Sequence, residues 1–498
     1  MSVSLLLTVS SVFVINHEVN QFWGAHTQVV DFGLFEQDQE NIAIVNVNVL
    51  SVDGENMVPN QTILIEQGVI KDMGAQLIVP DDFQRINGSQ KYLIPGLVDS
   101  HVHLWQSPND LLLYLANGIT HIKELNGSEE HLQWKSDIQE GRPGPDMYVA
   151  SRRYNSQGVL KGWFDRWTAK INNVSDVDDI EQDVILMMKR GYDAIKIYTF
   201  LDNNHFTVFN QLAKKMDVTL LGHIPINMTL NEIWQSEMKE LAHVEELVKA
   251  LDREFGGFKS KTADAFLQFV AQRSDEIVDH LLAQDMAVIT TLALMAHFPT
   301  QKSNAAKALQ SVELAYVNPG ISEATYPSIR TMGWLPEVNI YRLPDDFPPQ
   351  SVAGNFIYWQ TYAQAHQILI KSMAEAGVKL LAGTDANVPV MVPGFSMHEE
   401  LESLVQAGMS ATQALRSATS IPAEWMRLKT GKVQIGYQAD LLLLNANPLE
   451  NIGNTRSIEL VINNGRRYNK QLLKRMLDEV KHANDNSRKK SISAYQSH

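Results

Sequence analysis

The sequence predicts an α/β fold: a (β/α)8 barrel carrying a small β-sandwich made by both chain ends. Three observations predict it. Through the middle of the 498-residue chain, short apolar runs alternate with helix-period segments about eight times. The two ends, 41–79 and 440–468, share a β-rich texture that the middle lacks. Residues able to hold a metal recur near the ends of the middle runs, where a barrel of this kind collects its site. The division expected is 1–25 as a signal or anchor segment, 41–90 and 421–468 as the two parts of the sandwich, 91–420 as the barrel with an insertion at 293–356, and 469–498 as a charged helix and tail.

Composition bounds the rest. Hydrophobic residues at 44% and charged residues at 20% are globular values, enough for a sizeable core. The formal charge, 42 − 57 = −15, argues against a nucleic-acid or anionic-membrane partner. With no cysteine, disulfides, thiolate metal sites and cysteine nucleophiles are excluded, so any metal rests on N and O ligands.

At the N-terminus, 3–15 is uncharged and apolar, the length of a signal-peptide core and short for a membrane span. An export signal or truncated anchor is favoured over a buried strand, although a positive flank and a clear cleavage site are missing. Export to the periplasm or the outside is accordingly favoured over a cytoplasmic location. No other stretch is apolar enough to span a bilayer, so the body is expected to stay out of the membrane. Next, 42–50 alternates as a strand, Asp53-Gly54 marks a turn, and 62–68 with 69–74 reads as a hairpin. At the far end, 440–445 and 458–465 repeat this texture.

The eight middle runs are 97–104, 119–125, 147–151, 194–200, 219–224, 241–245, 287–292 and 379–386. Helical periodicity at 180–190 places Ile180, Val184, Met187 and Met188 on one face, and 206–216 reads likewise. The first run organises the chain. His101 and His103 are two apart, so on a strand they point to one face as a pair of ligands for one divalent metal. Lys196 lies in the fourth run, His223 ends the fifth, His243 sits in the sixth and Asp385 ends the eighth. Singly each has a bland reading; a lysine can edge a strand and an Asp after Gly-Thr can cap a helix. As an ordered set they fall where one pocket needs them.

The run Ile94-Pro-Gly-Leu-Val-Asp-Ser-His-Val-His103 and the later order Lys196, His223, His243, Asp385 resemble the metal-dependent amidohydrolase superfamily. Gly431-Lys-Val-Gln-Ile-Gly-Tyr-Gln-Ala-Asp-Leu-Leu-Leu443 looks like its C-terminal segment, and the resemblance spans about 41–468. Gly191-Tyr-Asp-Ala-Ile-Lys-Ile-Tyr198 and the His223 to His243 spacing resemble the branch of imidazolonepropionase-related proteins and metal-dependent prolidases. In the family's dinuclear members the strand-four lysine is carboxylated and bridges two metals, whereas imidazolonepropionase lacks it and uses one. Lys196 therefore points to the dinuclear type.

The resemblance implies one metal on His101, His103 and Asp385 and a second on His223 and His243, joined by a CO2-derived carbamate on Lys196 and a hydroxide. Zinc suits these ligands, with manganese, cobalt or iron as alternatives. The chemistry is consistent. Burial lowers a lysine's pKa, and a neutral amine can add CO2 to become an anion with two oxygens. Asp385 would take a proton from the attacking hydroxide and return it to the leaving amine. The expected reaction is hydrolysis of an amide or peptide-type C–N bond in a small-molecule substrate. The alternatives are a lactone, carbamate or phosphoester hydrolase at the same site, a mononuclear deaminase or cyclic amidase, and an inactive scaffold.

Other residues are weighed beside these. Tyr198 shares a strand face with Lys196 and is a candidate donor to a developing oxyanion, against plain barrel packing. His121 is a candidate pocket residue. Arg152 or Arg153 could hold a substrate carboxylate, with a solvated arginine favoured. His297 is a substrate contact or a loop residue, and His398 opens a helix. The Pro-rich 293–356 is too long for a plain loop and reads as a lid or specificity wall, or as the contact of a homo-oligomer. The polar stretch 483–490 is expected to be disordered.

Overall fold

The computed structural model describes residues 14–324 and 333–495. Of the apolar N-terminal run, 3–13 therefore lies outside the described residues, as does 325–332 of the insertion. Residues 14–22 are helical, with Val19, Phe22 and Trp23 buried against the body. Among the described residues no helix is long and apolar enough to cross a membrane.

The middle of the chain is a TIM-barrel-like α/β arrangement. Its parallel strands, in order, are Leu97–Val102, Ile119–Glu124, Asp146–Val149, Ile195–Ile197, Leu220–Gly222, Met238–Leu241, Ala287–Ile289 and Leu380–Leu381. Each pairs in parallel with the next, the third meeting the fourth through a bridge between Ala150 and Ala194. The eighth returns to the first through a bridge between Ala386 and Val102, and Ser100 N donates to Ala382 O at 2.9 Å. Parallel strands need crossovers, and helices such as Ile180–Arg190 and Asn203–Met216 supply them. Both follow the sequence pattern, the first burying Ile180, Val184 and Met187.

The runs read from sequence locate all eight strands, but the sixth and seventh are displaced. The sixth strand ends at Leu241, so His243 is not inside it; it sits just before the helix Val244–Phe255. The seventh ends at Ile289, and a helix starts at Leu292. Apolar content alone does not separate a strand's end from a buried helix start.

The two chain ends do meet, joined in one hydrogen-bonded sheet of eight strands. The join is made by Tyr92–Pro95, which runs parallel to Ile42–Leu50 and antiparallel to Leu441–Leu444. One face buries Ile42, Ile44, Ile63, Ile65, Leu441, Leu443, Leu460 and Ile462 together. The hairpin is as expected, Met57–Glu66 against Val69–Gly74, with a two-residue turn of positive φ at Gln67 and Gly68. Because Leu443 is 1% exposed in this shared core, Leu443→Ala will destabilise the protein by about 2–5 kcal/mol, read as a lower urea midpoint at unchanged m-value.

One expectation fails in part. Of the polar stretch 483–490, residues 483–487 are ordered: the helix Lys470–Ser487 includes them. Leu473, Met476, Val480 and Ala483 form a buried stripe at helical spacing, and Asn484 Nδ2 donates to Ala315 O at 3.2 Å. Tertiary burial of one stripe outweighs the polar composition. The insertion 293–356, read as too long for a plain loop, is partly helical. It opens with the helix Leu292–Ser303, continues as Ala305–Leu309, and runs into Val352–Ala376.

Candidate metal centre

The C-terminal ends of the strands bring His101, His103, Lys196, His223, His243 and Asp385 into one neighbourhood. His103, Lys196, His223, His243 and Asp385 line a single cavity of about 350 Å³. His101 lies beneath them, its Nε2 3.4 Å from His103 Nε2, 3.4 Å from Asp385 Oδ1 and 3.4 Å from Lys196 Nζ. Its ring stacks on that of His243 at 4.4 Å, and His223 stands edge-on to His243 at 5.2 Å.

Local backbone sets these positions. Gly222, at φ +135, precedes His223, and a Cβ there would stand 2.1 Å from Ile197 O, so the fifth strand can approach the fourth only as glycine. At Gly383 a Cβ would stand 2.9 Å from His101 N. Asp99 accepts from His101 N at 3.2 Å and from Thr384 N at 3.0 Å, tying the first strand's histidines to the turn that carries Asp385. Asp385 itself has φ +56, a region Asp tolerates better than most residues.

The imidazoles are aimed from behind. His101 Nδ1 lies 3.1 Å from Ala242 O, which can only accept, so its Nε2 carries the lone pair. His223 Nδ1 lies 3.1 Å from Glu246, and His243 Nδ1 lies 3.2 Å from Thr291 Oγ1. His103 Nδ1 faces Glu124 at 3.7 Å, longer than a hydrogen bond, and Glu124 also accepts from Leu104 N at 2.6 Å and Asn126 N at 2.7 Å. Glu124, Glu246 and Thr291 escaped the sequence reading. A carboxylate closing the apolar second strand was the available signal for Glu124 alone.

Electrostatics fit a cation-binding centre. Burial, with the charge of Lys196, holds His101 well below the usual histidine range, and burial does the same for His243, so both imidazoles are neutral. Burial, with Arg153, lowers Lys196 to about 7 against the pull of Asp385, Glu124 and Glu240. Burial pushes Asp385 up, but His103, His243 and Lys196 outweigh it and hold its carboxyl at about 2. Asp385 Oδ1 is buried and makes no hydrogen bond among the described residues, although His103 Nε2 is 3.1 Å away. One carboxylate oxygen and two Nε2 atoms thus face a common point rather than one another, and their atoms all lie within 4.8 Å. Neutral imidazoles with one anionic oxygen are the donor set that divalent zinc-type ions take.

Tyr198 lines the same cavity; Arg153 Nη1 donates to its hydroxyl at 3.2 Å, and its ring stands edge-on to His223 at 4.5 Å. Arg153 is a cavity residue, whereas Arg152 lines a separate cavity beside Trp23, Trp105 and Tyr192. From the insertion come Phe298, Lys302 and Tyr341, joined by Trp359; the Lys302 ammonium lies 4.9 Å from the Trp359 ring and 5.5 Å from the Tyr341 ring. His121 does not line this cavity: it turns toward Asp146 and Asp440 near the opposite strand ends. His297 faces Glu399 at 3.5 Å outside the cavity. His398 lies in the helix Phe395–Gln406, its ring nitrogens 2.9 Å from Thr455 Oγ1 and 3.1 Å from Asn117 O, a buried strut. Also unforeseen is Lys123, fully buried in an ion pair with Glu240 and 3.8 Å from the Trp425 ring.

The model of the amidohydrolase family matches residues 202–468. Among characterised sequences, imidazolonepropionase of Vibrio cholerae serotype O1 is 40% identical over 53 residues, 11% of this chain and 13% of that protein's length. Among solved structures, bottromycin amidohydrolase superposes with a TM-score of 0.66 at 19% identity, covering 94% of this chain and 96% of that one. A Xaa-Pro dipeptidase with bound methionine superposes at 0.60 and 16% identity, covering 86% and 100%. These likenesses to solved structures concern the fold.

Proposed function

The chain belongs to the amidohydrolase family, and from that premise we propose that it is a metal-dependent hydrolase of amide or peptide-type C–N bonds. The observation that carries the proposal is the convergence of His101 Nε2, His103 Nε2 and the orphaned Asp385 Oδ1 at the strand ends, beside a buried lysine whose pKa is brought to about 7. We take the eight parallel strands as the staves of one barrel, with the cavity at its mouth.

His101, His103 and Asp385 would hold one ion, and His223 with His243 a second. Lys196 would sit between them as a carbamate, formed when the neutral amine adds CO2 and releases a proton. Bound there, divalent ions supply the activation of water and the polarisation of a carbonyl. Asp385, an anion at neutral pH, accepts the proton of the attacking water and delivers it to the leaving amine. Tyr198, held by Arg153, donates to the oxygen that gains charge. Arg153 and Lys302 give the cavity two cations without carboxylate partners among the described residues, which favours substrates bearing a carboxylate, such as dipeptides and N-acyl amino acids. Phe298 and Trp359 offer an apolar wall for the other end.

A screen of dipeptides and N-acyl amino acids, with lactones and organophosphates beside them, tests the reaction through amine release. The reading expects primary or secondary amine to appear only in the first group. It expects two ions per chain that disappear together when His101 and His243 are both changed to Asn. One such ion, with ammonia as product, would instead mark a deaminase, and none an inactive scaffold. Tyr198→Phe is expected to lower kcat on the order of 10²-fold at unchanged metal content. A rate within two- or three-fold of wild type would return Tyr198 to simple packing.

A further inference from the structure

Near the opposite ends of the parallel strands lies a second group of ligand-type side chains that the proposed chemistry does not use. His121, near the start of the second strand, Asp146, which opens the third, and Asp440, just before Leu441–Leu444 of the end sheet, bring three N and O atoms within 4.8 Å of one another. His121 and Asp146 are direct partners in the strand register.

His121 is 3% exposed. Its Nδ1 lies 3.1 Å from Thr120 Oγ1, while its Nε2 lies 3.6 Å from Asp146 Oδ2 and 3.8 Å from Asp440 Oδ2. Both distances are too long for hydrogen bonds, so Nε2 of this buried histidine lies near two carboxylates without bonding to either. They are, however, close to the spacing of two ligands on one ion. Bonds of about 2.1 Å at right to tetrahedral angles put ligand atoms roughly 3.0–3.5 Å apart, so the two separations from His121 exceed that range by only a few tenths of an ångström, while all three atoms lie within 4.8 Å.

The carboxylates are steered by groups outside the trio. Thr430 Oγ1 donates to Asp440 Oδ2 at 3.0 Å, Asn464 N to Asp440 Oδ1 at 2.8 Å, and Asn464 Nδ2 to Asp146 Oδ2 at 3.0 Å. A carboxylate oxygen that accepts one hydrogen bond keeps a second lone pair. His121 and Asp146 also line a cavity of about 590 Å³ beside Asn464 and Arg466, which gives an ion a way in.

We propose that His121, Asp146 and Asp440 form a second divalent-cation site, structural in role and separate from the centre at the strand ends. One imidazole with two carboxylates is a borderline donor set suited to zinc, whereas calcium and magnesium favour all-oxygen shells. The three ligands come from two barrel strands and the entry to the end sheet, so the ion ties the two parts together.

The test uses the full chain, equilibrated with zinc chloride and dialysed, with metal counted by mass spectrometry. His121→Ala and Asp146→Asn are expected to hold one zinc fewer per chain than wild type and to lose a zinc-dependent rise in Tm, with the hydrolytic rate unchanged. Equal zinc content in wild type and variants overturns the site. Because the readout is a difference at His121, it stands or falls independently of how many ions the strand-end centre holds. A wild-type measurement covers variants that fail to fold. Anomalous diffraction from zinc-loaded crystals should show an ion bonded to His121 Nε2, and its absence overturns the site. An ion in the crystal without the difference in solution is an adventitious ion only, and also overturns it.

Discussion

Asp385→Asn will reduce kcat by about 10³–10⁴-fold, the upper range for removing a positioned general base and acid. Asparagine keeps the size of the side chain and tolerates the φ of +56, so the backbone of the turn should hold. What it lacks is the anion. In the folded protein the carboxyl of Asp385 is held at about 2, against burial, by His103, His243 and Lys196. It is therefore charged throughout the neutral range and ready to accept a proton. The same substitution removes the anionic member of the trio with His101 and His103, so metal content must be read beside rate. If metal remains and the rate collapses, the loss belongs to proton transfer. If both fall, Asp385 acts chiefly as a ligand. A variant that keeps both its metal and its rate to within ten-fold would remove Asp385 from the reaction.

Lys196→Ala is expected to lose the second ion and most of the activity, and acetate or propionate should restore part of both. Lys196 is 1% exposed and its Nζ is 3.4 Å from His101 Nε2, so the substitution opens a space inside the ligand cluster. A short carboxylate fits such a space and supplies the two oxygens that a carbamate would. The sign of the pH dependence follows from the lowered pKa. With the amine at about 7, it is mostly ammonium below about pH 6 and mostly neutral above about pH 8. Only the neutral amine adds CO2, so metal uptake by stripped enzyme in bicarbonate should quicken as pH rises through that window. Unchanged metal content and rate in Lys196→Ala would withdraw the dinuclear reading and leave His101, His103 and Asp385 as a single-ion site.

Those six residues were legible because each sits beside a local signal. His101 and His103 share one face of an apolar strand, and His223 and Asp385 close short apolar runs behind Gly222 and Gly383-Thr384. Strand count and order were legible for the same reason, since apolar runs of the right length repeat along the chain. Residues whose role depends on a distant partner were not. Glu246 aims His223 and Thr291 aims His243 across 48 residues of sequence, and nothing in the local pattern around Thr291 announces it. Arg152 and Arg153 are equivalent as sequence, yet one faces the histidine cavity and the other a neighbouring one.

By itself, then, the sequence determined the alternation of strand and helix, the family motifs and the strand ends that carry the ligand-type residues, because these are set by composition and spacing over a few residues. Tertiary structure alone decided which side chains converge. It turned His121 away from the cavity toward Asp146 and Asp440, joined both chain ends through Tyr92–Pro95 into one sheet, and held residues 483–487 helical against the body. The physical reason is common to all three: each depends on burial and hydrogen bonding between segments tens to hundreds of residues apart, whose free energy no local window contains.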